Sequence, residues 1–148
     1  MSSKPLYNES VSSPASAQDG RKLVLSVDDD LGVLYTRYKL LSAAGYAVLS
    51  ATDGVQALQI FGTNPIDLVL LDYALQEMDG GVVAEAMKAH LPHVPIIMVS
   101  GVEVPEECLA KVNRFVRKGE GPEPLLNSIR ELTSASPRPR LVPREVAS

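Results

Sequence analysis

Cysteine is almost absent from this chain: among 148 residues there is one, Cys108. A lone thiol excludes an internal disulfide and fits a reducing compartment, so the expected location is the cytoplasm. No apolar run approaches the roughly 20 residues that a membrane-spanning helix needs. The Ser- and Ala-rich start, Met1 to Gly20, lacks the apolar stretch of a secretory signal. An excess of positive charge is also missing. Lys and Arg number 14 against 18 Asp and Glu, a net charge of −4, which argues against electrostatic nucleic-acid binding by the molecule as a whole.

What is present is an ordinary globular mixture, 45% apolar and 22% charged, with enough material for the core of one domain. The charge is uneven. Arg138, Arg140 and Arg144 against Glu145 leave +2 on residues 134–148, and Lys4 against Glu9 and Asp19 leaves −1 on residues 1–20. Residues 21–133 therefore carry −5. Both ends are rich in Pro and Ser without periodicity and are expected to be disordered, with the Arg-Pro tail simply solvated.

Between them, short apolar runs alternate with helical patterns. Leu23–Val27, Tyr46–Ala51, Ile66–Leu71, Val94–Val99 and Arg114–Arg117 read as strands, the first a continuous run typical of a strand buried on both faces and the third the most apolar. Leu31, Leu34, Tyr38 and Leu41 form a helical stripe that Gly45 ends. Further helices are expected over Asp53–Phe61 (through Val55, Leu58 and Phe61), Asp79–His90 (through Val82, Val83, Ala86 and Met87) and Pro122–Leu132. Pro105–Val112 allows only a short one. Five strands alternating with five helices imply an α/β, doubly wound parallel sheet covered on both faces.

In such sheets reactive groups gather at the carboxyl ends of the strands, beside a topological switch point. The strands deliver Asp28-Asp29-Asp30, then Asp72, then Ser100, then Lys118 to that edge. Asp28, Asp29 and Asp72 brought together repel one another unless a counter-charge is supplied. Mg2+ suits a few carboxylates from two strand ends, because it keeps waters and phosphate oxygens as its remaining ligands. A carboxylate held in this way can attack a phosphoryl group, with Ser100 donating a hydrogen bond and Lys118 a compact positive charge. Asp30 reads instead as a helix N-cap, and Asp79-Gly80-Gly81 as a turn and helix start. His90 and His93 read as surface residues and Cys108 as a packing residue.

The pieces resemble, in order and spacing, the receiver domain of bacterial two-component response regulators. They are Leu-Val-Leu-Ser-Val-Asp-Asp-Asp at 23–30, Ala-Thr-Asp-Gly-Val-Gln-Ala-Leu at 51–58 and Asp-Leu-Val-Leu-Leu-Asp at 67–72. Met78-Asp79-Gly80, the run from Pro95 to Gly101 and Phe115-Val-Arg-Lys118 complete them. The resemblance covers residues 21–133 and implies a flavodoxin-like strand order 2-1-3-4-5. It implies Asp72 as phosphoacceptor, Asp28 and Asp29 as Mg2+ ligands, and the Ala74 backbone carbonyl as a further ligand. Ser100 becomes the hydroxyl that shifts toward the phosphoryl group, Lys118 the site cation and Phe115 the aromatic that rotates with the hydroxyl.

Three departures stand out. Gln76 replaces a proline usual four residues after the phosphoacceptor, Gly119 replaces one usual after the lysine, and the interval from Ser100 to Phe115 is short. A stunted fourth helix and an altered output face are expected. Ala74 and Val102 are apolar where family members carry polar side chains that assist dephosphorylation, so slow self-dephosphorylation is expected.

The resulting expectation is a stand-alone regulator, not an enzyme in its own right, that takes a phosphoryl group from a histidine kinase or phosphotransfer protein. With no DNA-binding domain expected after residue 133, output would run through contact with a downstream protein target or through phosphate relay, with a homodimer possible and no membrane contact. Two rivals are a phosphorylation-independent interaction module and an aspartyl-phosphate phosphatase. The second lacks the acid two residues after the nucleophile that its chemistry usually wants, since Ala74 stands there.

Overall fold

The computed structural model describes residues 20–135. The expected disorder of residues 1–20 and 134–148 falls outside the described residues except at Gly20, Ser134 and Ala135, and the last two are helical instead of disordered. The elements run β1 (Leu23–Val27), α1 (Leu31–Ala43), β2 (Ala47–Ala51), α2 (Gly54–Thr63), β3 (Leu68–Asp72), α3 (Gly80–His90), β4 (Ile96–Ser100), α4 (Glu106–Leu109), β5 (Arg114–Arg117) and α5 (Glu123–Ala135). All five strands are parallel, in the order β2-β1-β3-β4-β5. This is the doubly wound flavodoxin-like arrangement expected from the sequence.

Every residue of β1 to β4 is buried, as a sheet covered on both faces requires. Alternate residues feed two cores. Leu23, Leu25 and Val27 join Phe61, Leu71, Met87 and Met98 on one face, beneath α2 and α3. Val24 joins Leu41, Leu70, Val99 and Ile129 on the other, beneath α1 and α5.

Helix starts follow short polar caps. Asp30 Oδ1 accepts from the Gly32 and Val33 N–H groups, Asp53 Oδ1 from Gln56, and Asp79 Oδ1 from Val82. Helix α1 ends with the Gly45 N–H donating to the Ser42 carbonyl (3.1 Å) and the Tyr46 N–H to the Leu41 carbonyl (3.0 Å). Gly45 itself is left-handed, φ 98°, which glycine adopts without strain.

The structure corrects several details. On α1 the buried positions are Leu34, Arg37 and Leu41, whereas Leu31 is exposed. Val55 on α2, and Val82 and Ala86 on α3, also face solvent. Strands β3 and β4 end one residue later than the periodicity predicts, so Asp72 and Ser100 are their last residues. The short helix spans four residues, within the expected Pro105–Val112.

That shortened segment is tied down by one amide. Asn113 Oδ1 accepts from Lys88 Nζ at 2.7 Å and from the Ile96 N–H at 2.9 Å, joining the end of α3, the start of β4 and the entry to β5. Burial pulls the Lys88 ammonium below its usual range. Cys108 is buried against α3, close enough that a methyl group on Gly81 would meet its sulfur.

Candidate functional site

Parallel pairing carries the reactive residues to one edge. The Asp28 N–H donates to the Ala51 carbonyl at 3.1 Å, extending the β1–β2 ladder one residue past β1. The Lys118 N–H likewise donates to the Ser100 carbonyl at 2.9 Å, extending the β4–β5 ladder past β5. Gly80 lets α3 start close behind β3, since a Cβ there would lie 2.7 Å from the Asp72 carbonyl oxygen.

At this edge Asp28, Asp29 and Asp72 each place a carboxylate oxygen within 4.8 Å of the others. Asp28 and Asp72 are buried and Asp29 is half-buried. Lys118 Nζ lies between the buried pair, 3.0 Å from Asp28 Oδ2 and 3.4 Å from Asp72 Oδ1. Asp28 Oδ1 accepts from the Asp30 N–H (3.0 Å), and Asp72 Oδ1 from the Ala74 N–H (3.4 Å). Asp30, by contrast, is an exposed cap at the start of α1.

Burial raises Asp72 above the usual carboxylate range and the charge of Asp28 raises it further; Lys118 and the Ala74 N–H oppose this. The acidic cluster is partly neutralised by a second cation that the periodicity conceals. Arg37 is 6% exposed, and its Nη2 lies 3.5 Å from Asp28 Oδ2. Burial pulls its guanidinium below the usual value, while Asp28 and Asp72 favour the charged form. The signal was its spacing, three residues after Leu34 and four before Leu41, on the apolar stripe.

Three carboxylates against two cations leave the pocket net negative. Hard oxygen donors from two strand ends, crowded to this degree, fit a small divalent cation such as Mg2+. Ser100 faces elsewhere: its Oγ donates to the Val102 carbonyl at 2.8 Å and accepts from the Val102 N–H at 3.0 Å. Phe115 is half-buried against the first core, with the Arg117 guanidinium 5.8 Å from its ring centre. After Lys118 the chain turns through Gly119 (φ 89°) and Gly121 (φ 82°), a path open to glycine where proline could not follow.

Residues 24–130 match the family model described as the response regulator receiver domain. The chain belongs to that family. Receiver domains are signalling domains in which Mg2+ binding and phosphorylation are typical. A probable transcriptional regulator, ycf27, of Cyanophora paradoxa is 32% identical over 124 residues, 69% of this chain and 51% of that protein. The chain thus spans about half, or less, of the length of the curated relatives it matches. A CheY-like receiver domain protein from Methanospirillum hungatei superimposes with a TM-score of 0.75 at 27% identity, covering 79% of this chain and 97% of that one. TrrA of Thermotoga maritima, solved in complex with Mg2+ and BeF, has the same fold: TM-score 0.72, 24% identity, 75% of this chain and 98% of that one. Among the described residues no helix is long and apolar enough to cross a membrane.

Proposed function

We propose that this receiver accepts a phosphoryl group on Asp72 from the phosphohistidine of a histidine kinase or phosphotransfer protein. The observation that carries the reading is Lys118 Nζ held between Asp28 (3.0 Å) and Asp72 (3.4 Å), beside a third carboxylate. Lys118 and the Ala74 N–H engage Asp72 Oδ1, which orients Oδ2 for attack on phosphorus. The new Oδ2–P bond forms as the bond from phosphorus to the donor imidazole nitrogen breaks. Mg2+, held by Asp28, Asp29, Asp72 and the Ala74 carbonyl, would offset the negative charge of the incoming phosphoryl oxygens. Lys118 neutralises part of that charge from the protein side.

Ser100 then exchanges its bond to the Val102 carbonyl for one to a phosphoryl oxygen. Phe115 moves with it, and the surface around α4 and β5 becomes the output face for a downstream protein. Ala74 and Val102 offer no side chain to direct water at the acyl phosphate, so its hydrolysis is slow.

Labelling with acetyl phosphate or a phosphorylated kinase tests the reading. Wild type should take label only with Mg2+, and Asp72→Asn should take none. The label should persist well beyond seconds once the donor is removed. Label on D72N at the wild-type rate would sink the assignment.

A further inference from the structure

Arg37 is the one buried cation among the described residues, and it occupies a core position on α1 between Leu34 and Leu41. It lines a cleft of about 790 Å³ between α1 and the turn into α5, together with Val33, Leu40, Val99, Val116 and Leu125. Its Nη1 is buried without a hydrogen-bond partner. A desolvated guanidinium with an unsatisfied N–H among aliphatic side chains does little for stability, and an apolar residue of similar length would serve packing better. What Arg37 supplies is positive charge, and it supplies it at one atom. Asp28 Oδ2 has Lys118 Nζ at 3.0 Å and Arg37 Nη2 at 3.5 Å. Lys118 has Asp72 as a second carboxylate, whereas Asp28 is the one ion-pair partner of Arg37 among the described residues.

We propose that Arg37 is a positioning residue of the acidic pocket, a built-in counter-cation that holds Asp28 and weakens divalent-cation binding to the unphosphorylated site. The inference rests on the Mg2+ reading above. A metal drawing on Asp28 meets a fixed positive charge that cannot be deprotonated and whose one ion-pair partner among the described residues is Asp28. Lys118 gives way by turning toward Asp72; Arg37 stays. After phosphorylation the pocket gains negative charge, and the same guanidinium then favours the loaded state. Arg37 thus makes metal and phosphoryl group depend on one another more than Lys118 alone would.

Calorimetric titration of Mg2+ into the full chain, without phosphodonor, tests this on wild type, Arg37→Met, Arg37→Gln and Arg37→Lys. R37M and R37Q should bind Mg2+ about tenfold more tightly than wild type, as expected for removing a unit charge near a divalent ion. R37K should restore affinity to near the wild-type value, which a purely packing role would not do. Equal or weaker binding by the neutral variants overturns the proposal, and R37Q decides the matter should R37M fail to fold. If no variant and no wild type binds Mg2+, the underlying metal reading has failed and this inference falls with it. Binding by wild type with no change in R37M and R37Q removes the Arg37 role alone.

Discussion

At the scale of single residues, the pocket sets charge neutralisation against burial. Asp72 is buried beside Asp28, and the two effects together raise its affinity for a proton despite Lys118. A carboxyl that binds a proton more tightly when folded is destabilising while ionised. Above the raised folded value Asp72 is charged in both folded and unfolded chains, so the penalty is fully present. As pH falls through the raised folded value toward the ordinary carboxylate value, the folded protein takes up the proton first and the penalty disappears. Without metal, Asp72→Asn should therefore unfold a few degrees higher than wild type at pH 7. That advantage should shrink steadily in acid. Paired thermal melts in EDTA across this range check it, and a D72N advantage that grows as pH falls would contradict the sign.

At the scale of elements, most of the architecture was legible because the signals were strong and local. Continuous apolar runs marked the strands, and the candidate site residues stand at or just after their carboxyl ends. Asp28, Asp72, Ser100 and Lys118 follow from that rule alone, while Phe115 and the Ala74 carbonyl needed the family resemblance. Periodicity was less informative about helix faces: Leu31, Val55 and Val82 are apolar but exposed, whereas Arg37 is charged but buried. A hydropathy pattern ranks side chains by type and cannot see a carboxylate waiting across the sheet edge. The brace on the shortened α4 was equally hidden, since Lys88 and Asn113 are 25 residues apart. Asn113→Ala leaves the part-buried Ile96 N–H without its side-chain acceptor and removes one from the Lys88 ammonium. It should lower stability by about 1–3 kcal/mol, read as a lower urea midpoint at unchanged slope. Because this brace sits at the amino ends of β4 and β5, away from the carboxylates, Mg2+ affinity should not change.

At the scale of the whole molecule, two aliphatic cores hold a sheet whose carboxyl edge is electrostatically unfavourable on its own. Net charge is −4, and the edge concentrates three carboxylates against Lys118 and Arg37. The cores cannot relax this repulsion, because Asp28 and Asp72 leave strands whose every residue is buried. A bound divalent cation would relieve it beyond what Lys118 and Arg37 supply, so metal binding should be linked to global folding. A ligand that binds only the native state stabilises it by about 2.7 kcal/mol when present at about one hundred times its dissociation constant. Saturating Mg2+ should therefore raise the unfolding midpoint of the full chain well above that in NaCl of matched ionic strength. Asp29→Asn should keep the stability seen in EDTA, because Asp29 is half-buried and outside both cores, yet lose most of the Mg2+-dependent rise. An equal Mg2+ response in wild type and D29N would mean that the ion acts elsewhere. No response in either would mean that the carboxylate edge does not hold the metal.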